Sequence, residues 1–136
     1  MGDMASNIYP SLFYRDAHGA ITWLEKAFGF ETLMKVPGED GAVAHSELRF
    51  GNAIVMVASS NDARGAKSPL DLAGAHGGLY LTMPRNALEE HYERAKASGA
   101  QITRPLEDGK DYDGRGYSAK DIEGHDWSFG SYVPGT

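Results

Sequence analysis

The chain contains no cysteine. Disulfide bridges, thiolate metal sites and cysteine nucleophiles are therefore excluded. No apolar run approaches the roughly 20 residues that a bilayer-spanning helix requires. The opening stretch MGDMASNIYP lacks the basic and apolar regions of a signal peptide, so cytoplasmic residence without a membrane partner is the expectation. No Gly-rich loop leads from a strand into a helix in the phosphate-binding arrangement. GRGYSAKD has two glycines but no Lys-Ser/Thr pair after them, and YSAKD lacks the context of a serine nucleophile. Basic charge is also short. A net charge of −6 argues against a nucleic-acid surface and mildly favours a neutral or cationic ligand over an anionic one.

What is present suits one compact domain: 136 residues, enough for a hydrophobic core. In YRDAHGAITWLEKAFGF, Asp16 can cap a helix whose apolar stripe is Ala17, Ala20, Ile21, Leu24 and Phe28, and Gly29 supplies the left-handed stop. IYPSLFY before it reads as a strand. FETLMKV and AVAHSELRF after it read as a hairpin across PGEDG, and GNAIVMVA follows a tight Gly51-Asn52 turn. The order then repeats. GLYLTM is a strand, NALEEHYERAKASG a helix with Asn86 and Glu89 as a capping box, and AQITRP, GYSAKD and HDWSFGSY are three more strands. Asp16 and Gly29 recur as Asn86 and Gly99 at a common spacing.

The expected fold class is α+β: two tandem βαβββ modules, residues 7–58 and 78–133, joined by a polar connector at 59–77, within one domain of 1–136. Each module leaves one sheet face uncovered by its helix, so two modules side by side enclose a cavity. If the connector is long, pairing can instead occur between chains, which produces a dimer by exchange of modules.

The residues YPSLFYRDAHGAITWLEKAFGFE, AHSELRFGNAIVMV, LYLTMPRNALEEHYERAKASGAQI and YSAKDIEGHDWSFG, with the repeat order, resemble the vicinal oxygen chelate superfamily of glyoxalase and bleomycin-resistance type. The resemblance covers nearly the whole chain and implies a dimer. It leaves function open, because that family includes metal-dependent lyases, isomerases and dioxygenases, fosfomycin-modifying transferases, and drug-binding proteins without metal. Its metal enzymes take His, Glu or Gln ligands from the first and last strands of each half. Here those places fall near Tyr9, at Val55 or Met56, near Gly78 and at Ser128. None supplies the imidazole or carboxylate that a non-thiolate site needs. No cofactor is expected, a divalent metal held by a displaced set from His45, Glu47, His76 or His125 being the alternative.

Strand alternation puts His45, Glu47 and Arg49 on one side of AVAHSELRF, as a cavity row or as a solvated face. On the cavity reading, His45 or Glu47 is a candidate base. His125 is assigned a turn or packing role, and His18 and His91 face solvent. Trp23 and Phe28 belong to the core. Phe13, Met56, Tyr80, Tyr112, Tyr117, Trp127 and Ser128 join His45 and Glu47 as candidate ligand contacts, since an aromatic-lined cavity with a few polar groups suits a flat organic molecule. The functions that follow are a metal-free binder of an aromatic or cationic, antibiotic-like molecule, a metal enzyme with displaced ligands, or a metal-free enzyme.

Overall fold

The computed structural model describes residues 6–74 and 77–135. The first module contains β1 (Ser11–Tyr14), α1 (Ala17–Phe28), β2 (Glu31–Pro37), β3 (Val43–Phe50) and β4 (Ala53–Ser59). The second contains β5 (Gly78–Thr82), α2 (Leu88–Ala97), β6 (Gln101–Asp108), β7 (Arg115–Lys120) and β8 (Asp126–Gly130). Each builds a four-stranded mixed sheet, ordered β1-β4-β3-β2 and β5-β8-β7-β6, with the first strand parallel to the last. The α+β architecture read from the sequence is the one present.

Asp16 caps α1 by accepting from the Gly19 amide at 3.0 Å, and Gly29 ends the helix at φ 83°. The second helix starts differently. A 3-10 turn over Arg85–Ala87 feeds directly into α2, and no side chain caps it. The capping box expected from Asn86 and Glu89 is therefore not formed, because the extra turn carries Asn86 away from the helix start.

Both modules share one core. Phe28 of α1 sits 5.5 Å from Trp127 and 4.9 Å from Phe129 of β8, ring centre to ring centre, and Phe30 lies 5.5 Å from Trp127. A buried ring of this size contributes about 1.5–3 kcal/mol by removing apolar surface from water. Polar contacts reinforce the junction. Arg94 of α2 donates to the Lys26 and Glu25 carbonyls at 2.7 and 3.1 Å, capping the C-terminal end of α1, and Trp23 Nε1 donates to the Ser98 carbonyl.

His91 was expected at the surface. It is buried instead: its Nε2 lies 2.8 Å from the Phe28 carbonyl and its Nδ1 2.8 Å from the Tyr117 hydroxyl. A carbonyl only accepts, so Nε2 carries the proton and Nδ1 accepts from Tyr117. The buried stripe of α2 is Leu88, His91 and Ala95; a polar residue occupies a core position because both ring nitrogens find partners.

Candidate functional site: two open sheet faces

Side chains alternate across each sheet, so the face turned away from the shared core can be read from the register. In the first sheet Leu48, Val55 and Val57 point into the core. The opposite face carries the row Ser11, Met56, Glu47 and Met34, register partners on β1, β4, β3 and β2. Phe13 beside Ala58, and His45 beside Val36, flank this row. In the second sheet Leu81, Tyr117, Ala119, Trp127 and Phe129 are core. The opposite face carries the row Tyr80, Ser128, Ser118 and Arg104 on β5, β8, β7 and β6.

On the first face His45 Nε2 lies 2.9 Å from Glu47 Oε2, with side chains 40% and 35% exposed. The row His45, Glu47 and Arg49 is thus on the open face, not in the core. Arg49 pairs with Glu31 at the edge. Phe13 has the Arg64 guanidinium of the connector 6.0 Å above its ring, within reach of a cation–π interaction.

On the second face the Ser118 and Ser128 hydroxyls are 2.7 Å apart. Lys120 and Asp126 form an ion pair at 2.8 Å beside them. Tyr80 donates its hydroxyl to the Tyr132 carbonyl at 2.5 Å. Tyr112 packs edge-on against Tyr132, with ring centres 5.4 Å apart. Partial burial, with the Tyr112 phenol nearby, raises the Tyr80 pKa.

Two candidate ligand contacts need correcting. Tyr117 and Trp127 are 0% and 1% exposed and point into the core, so neither touches a molecule on the open face. The two-residue period of a strand fixes which residues share a face but not which face is core. His125 is a packing residue: it donates from Nε2 to the Phe13 carbonyl at 3.0 Å and packs its ring against Tyr14. His18 is exposed, 3.2 Å from Lys35 Nζ. His76 lies outside the described residues. Sequence reasoning missed Ser118, Lys120, Asp126 and Arg104. Alternation from Ser128 would have found Ser118 once β7 and β8 were paired.

The cavity expected between the modules is placed differently within one chain. A cavity of about 550 Å³ lies where the start of β4 approaches β5, lined by Ile8, Pro10, Ile54, Tyr80 and Thr82 among others. None of His45, Glu47, Met56, Ser118 or Ser128 lines it. One chain therefore does not bring Met56 of one open face and Ser128 of the other together around that space.

A divalent metal on either face would need three or four donors at about 2.0–2.2 Å. The central positions hold Ser11, Met56, Tyr80 and Ser128, which are poor donors at neutral pH. His45 and Glu47 are two suitable groups, but among the described residues no cluster of three His, Asp or Glu forms. Asp121 and Glu123 are buried and engaged by Tyr14, Trp127, Ser68 and backbone amides. Among the described residues of one chain, then, neither face gathers three such donors.

This repeat of mixed sheets defines a class. Residues 8–129 match the family model described as Glyoxalase/Bleomycin resistance protein/Dioxygenase superfamily, and the chain belongs to that superfamily. Among its relatives, the uncharacterized protein Rv0887c of Mycobacterium tuberculosis is 35% identical, over 96% of this chain and 79% of its own. The uncharacterized protein Mb0911c of Mycobacterium bovis is also 35% identical, over 96% of this chain and 88% of its own. The crystal structure of TioX from Micromonospora sp. ML1 superposes with a TM-score of 0.71 at 32% identity, covering 94% of this chain and 99% of TioX. The fosfomycin resistance protein FosX of Listeria monocytogenes, complexed with Mn(II) and sulfate ion, has a TM-score of 0.71 at 12% identity, over 97% and 96% of the two chains. At that identity the likeness to FosX is one of fold.

Proposed function

We propose that the protein is a cytoplasmic, metal-free binder of a small, flat organic molecule, aromatic or cationic and antibiotic-like, which it holds against its open sheet faces as a homodimer. The carrying observation is the make-up of the two central rows. On the paired first and last strands of each module these rows present Ser11, Met56, Tyr80 and Ser128, flanked by Phe13 and Tyr112. Such a surface stacks and hydrogen-bonds organic ligands. The fosfomycin-resistance role of FosX, a protein of the same fold, supports an antibiotic-like ligand by analogy. The dimer is supported by the partly apolar first face, where Met34 and Val36 are about two-fifths exposed (41% and 40%), and by the separation of the two faces within one chain. A partner's module would cover each face.

The experiment is a calorimetric and NMR screen of the full chain against planar drugs. Saturable binding that shifts Phe13, Met56, Tyr80 or Ser128 supports the reading. A broad panel without a saturable response at either face counts against it.

A second reading rests on the His45–Glu47 contact. A carboxylate 2.9 Å from an imidazole can orient its tautomer, which makes His45 a candidate base acting without metal. Solvent-isotope exchange into bound carbonyl compounds, abolished by His45→Gln, is its test.

A further inference from the structure

Arg104 is the anomaly of the second face. It is partly buried, yet among the described residues it has no carboxylate within ion-pair distance. Its one hydrogen bond is a long 3.4 Å contact from Nη1 to the Gly116 carbonyl. Other arginines on the surface are better satisfied: Arg15, Arg49 and Arg85 pair with Asp71, Glu31 and Asp108, and Arg94 caps α1. A guanidinium carries five donors in a fixed fork that matches a carboxylate, so most of Arg104's capacity is unspent.

Its position is built by the sheet. Gly116 and Gly130 are register partners on β7 and β8, on the open face. A β-carbon at Gly116 would lie 3.6 Å from Arg104 Nη2, and one at Gly130 would lie 2.7 Å from Tyr80 Oη. The two glycines thus form a floor over which the guanidinium and the phenol both lie. Burial raises the Tyr80 pKa, and the Arg104 charge is a lesser influence in the opposite direction. Ser118, the register partner of Arg104, continues the polar row to Ser128. The Tyr112 and Tyr132 rings stand at the side of Tyr80.

We infer that this glycine-floored patch of the open face is an oxyanion subsite for an aromatic carboxylate, with Arg104 clamping the carboxylate, the Ser118–Ser128 hydroxyls donating to it, and Tyr80 and Tyr112 receiving the ring. The inference rests on the reading that the second face binds small organic molecules and narrows the ligand class. The net charge disfavours anions globally, but the local field at Arg104 decides at contact distance, since surface charges beyond about 8–10 Å are screened.

The test is an NMR titration of the full chain with benzoate, benzamide and inorganic phosphate. Benzoate is expected to shift Gly116, Ser118, Ser128 and Gly130 and to bind at least tenfold more tightly than benzamide. Arg104→Gln should weaken benzoate at least tenfold with an unchanged spectrum elsewhere, and Arg104→Lys should recover part of the loss. Equal affinity for benzoate and benzamide, or no effect of Arg104→Gln, overturns the carboxylate clamp while leaving a binding face. Phosphate binding as tightly as benzoate overturns the aromatic half. No response to any probe at this face overturns the clamp, while the reading beneath it stands or falls separately with the planar-drug screen.

Discussion

Tyr14, the last residue of β1, donates its hydroxyl to Asp121 Oδ2 at 2.6 Å, across 107 positions of sequence. Both residues are buried. Asp121 also accepts from Trp127 Nε1 at 2.9 Å and from the Glu123 and His125 amides at 3.0 Å each. This carboxylate ties the start of one module to the last turn of the other. Hydrogen bonds to a charged group contribute roughly 1.5–3 kcal/mol each, and a buried donor left without a partner costs about 1–3 kcal/mol. Asp121→Ala is therefore expected to destabilise the fold by about 3 kcal/mol or more, and Tyr14→Phe by about 1–2 kcal/mol. Urea midpoints at constant slope measure both.

The same contact shapes the alkaline limit. Burial, with Asp121 close by, holds the Tyr14 pKa well above its ordinary 10.0, and burial also raises that of Tyr117. The unfolded chain ionises these phenols more readily than the native one, so stability is full below about pH 10 and declines as pH rises through the native values. Tyr14→Phe should flatten that decline.

On the acid side the sensor is His91. Burial lowers its pKa below 6.5, against the opposing hydrogen bond to the Phe28 carbonyl. The unfolded imidazole takes a proton first, so the contribution of His91 is present above about pH 6.5 and is lost as pH falls through the native value. Urea melts across pH 5–8 should show this limb, and His91→Gln should remove it.

Glu123 accepts from the Arg15 and Asp16 amides at 2.7 and 2.8 Å and from Ser68 Oγ at 2.5 Å. It anchors the entry to α1 and the connector at once. Glu123→Ala is expected to raise hydrogen exchange at the Arg15 and Asp16 amides while leaving those of β7 protected. Unchanged exchange at both amides would contradict this role.

An exchanged or otherwise paired homodimer predicts a sedimenting mass twice the 14.7 kDa of the chain. A concentration-independent monomer would contradict it.

The sequence disclosed the frame well. Asp16 and Gly29 bracket α1 because capping chemistry is local, and the alternation of His45, Glu47 and Arg49 is likewise local. Face assignment is not local: Trp127 and Ser128 are equally placed by a two-residue period, and the packing of Phe28 and Phe30 decided which one faces the core. His91 was hidden because its partners, Phe28 and Tyr117, are 63 and 26 residues away. Arg104 was hidden by the irregular register of β6 between Ile102 and Arg104, which breaks simple alternation.

The most direct measurement is a calorimetric titration of a planar drug from the binding screen into the chain, before and after exhaustive chelation of divalent metals, with the bound amides mapped by NMR. The account predicts the same affinity in both titrations and shifts confined to the open rows around Met56 and Ser128. Affinity that vanishes on chelation and returns with one equivalent of a divalent metal would contradict it.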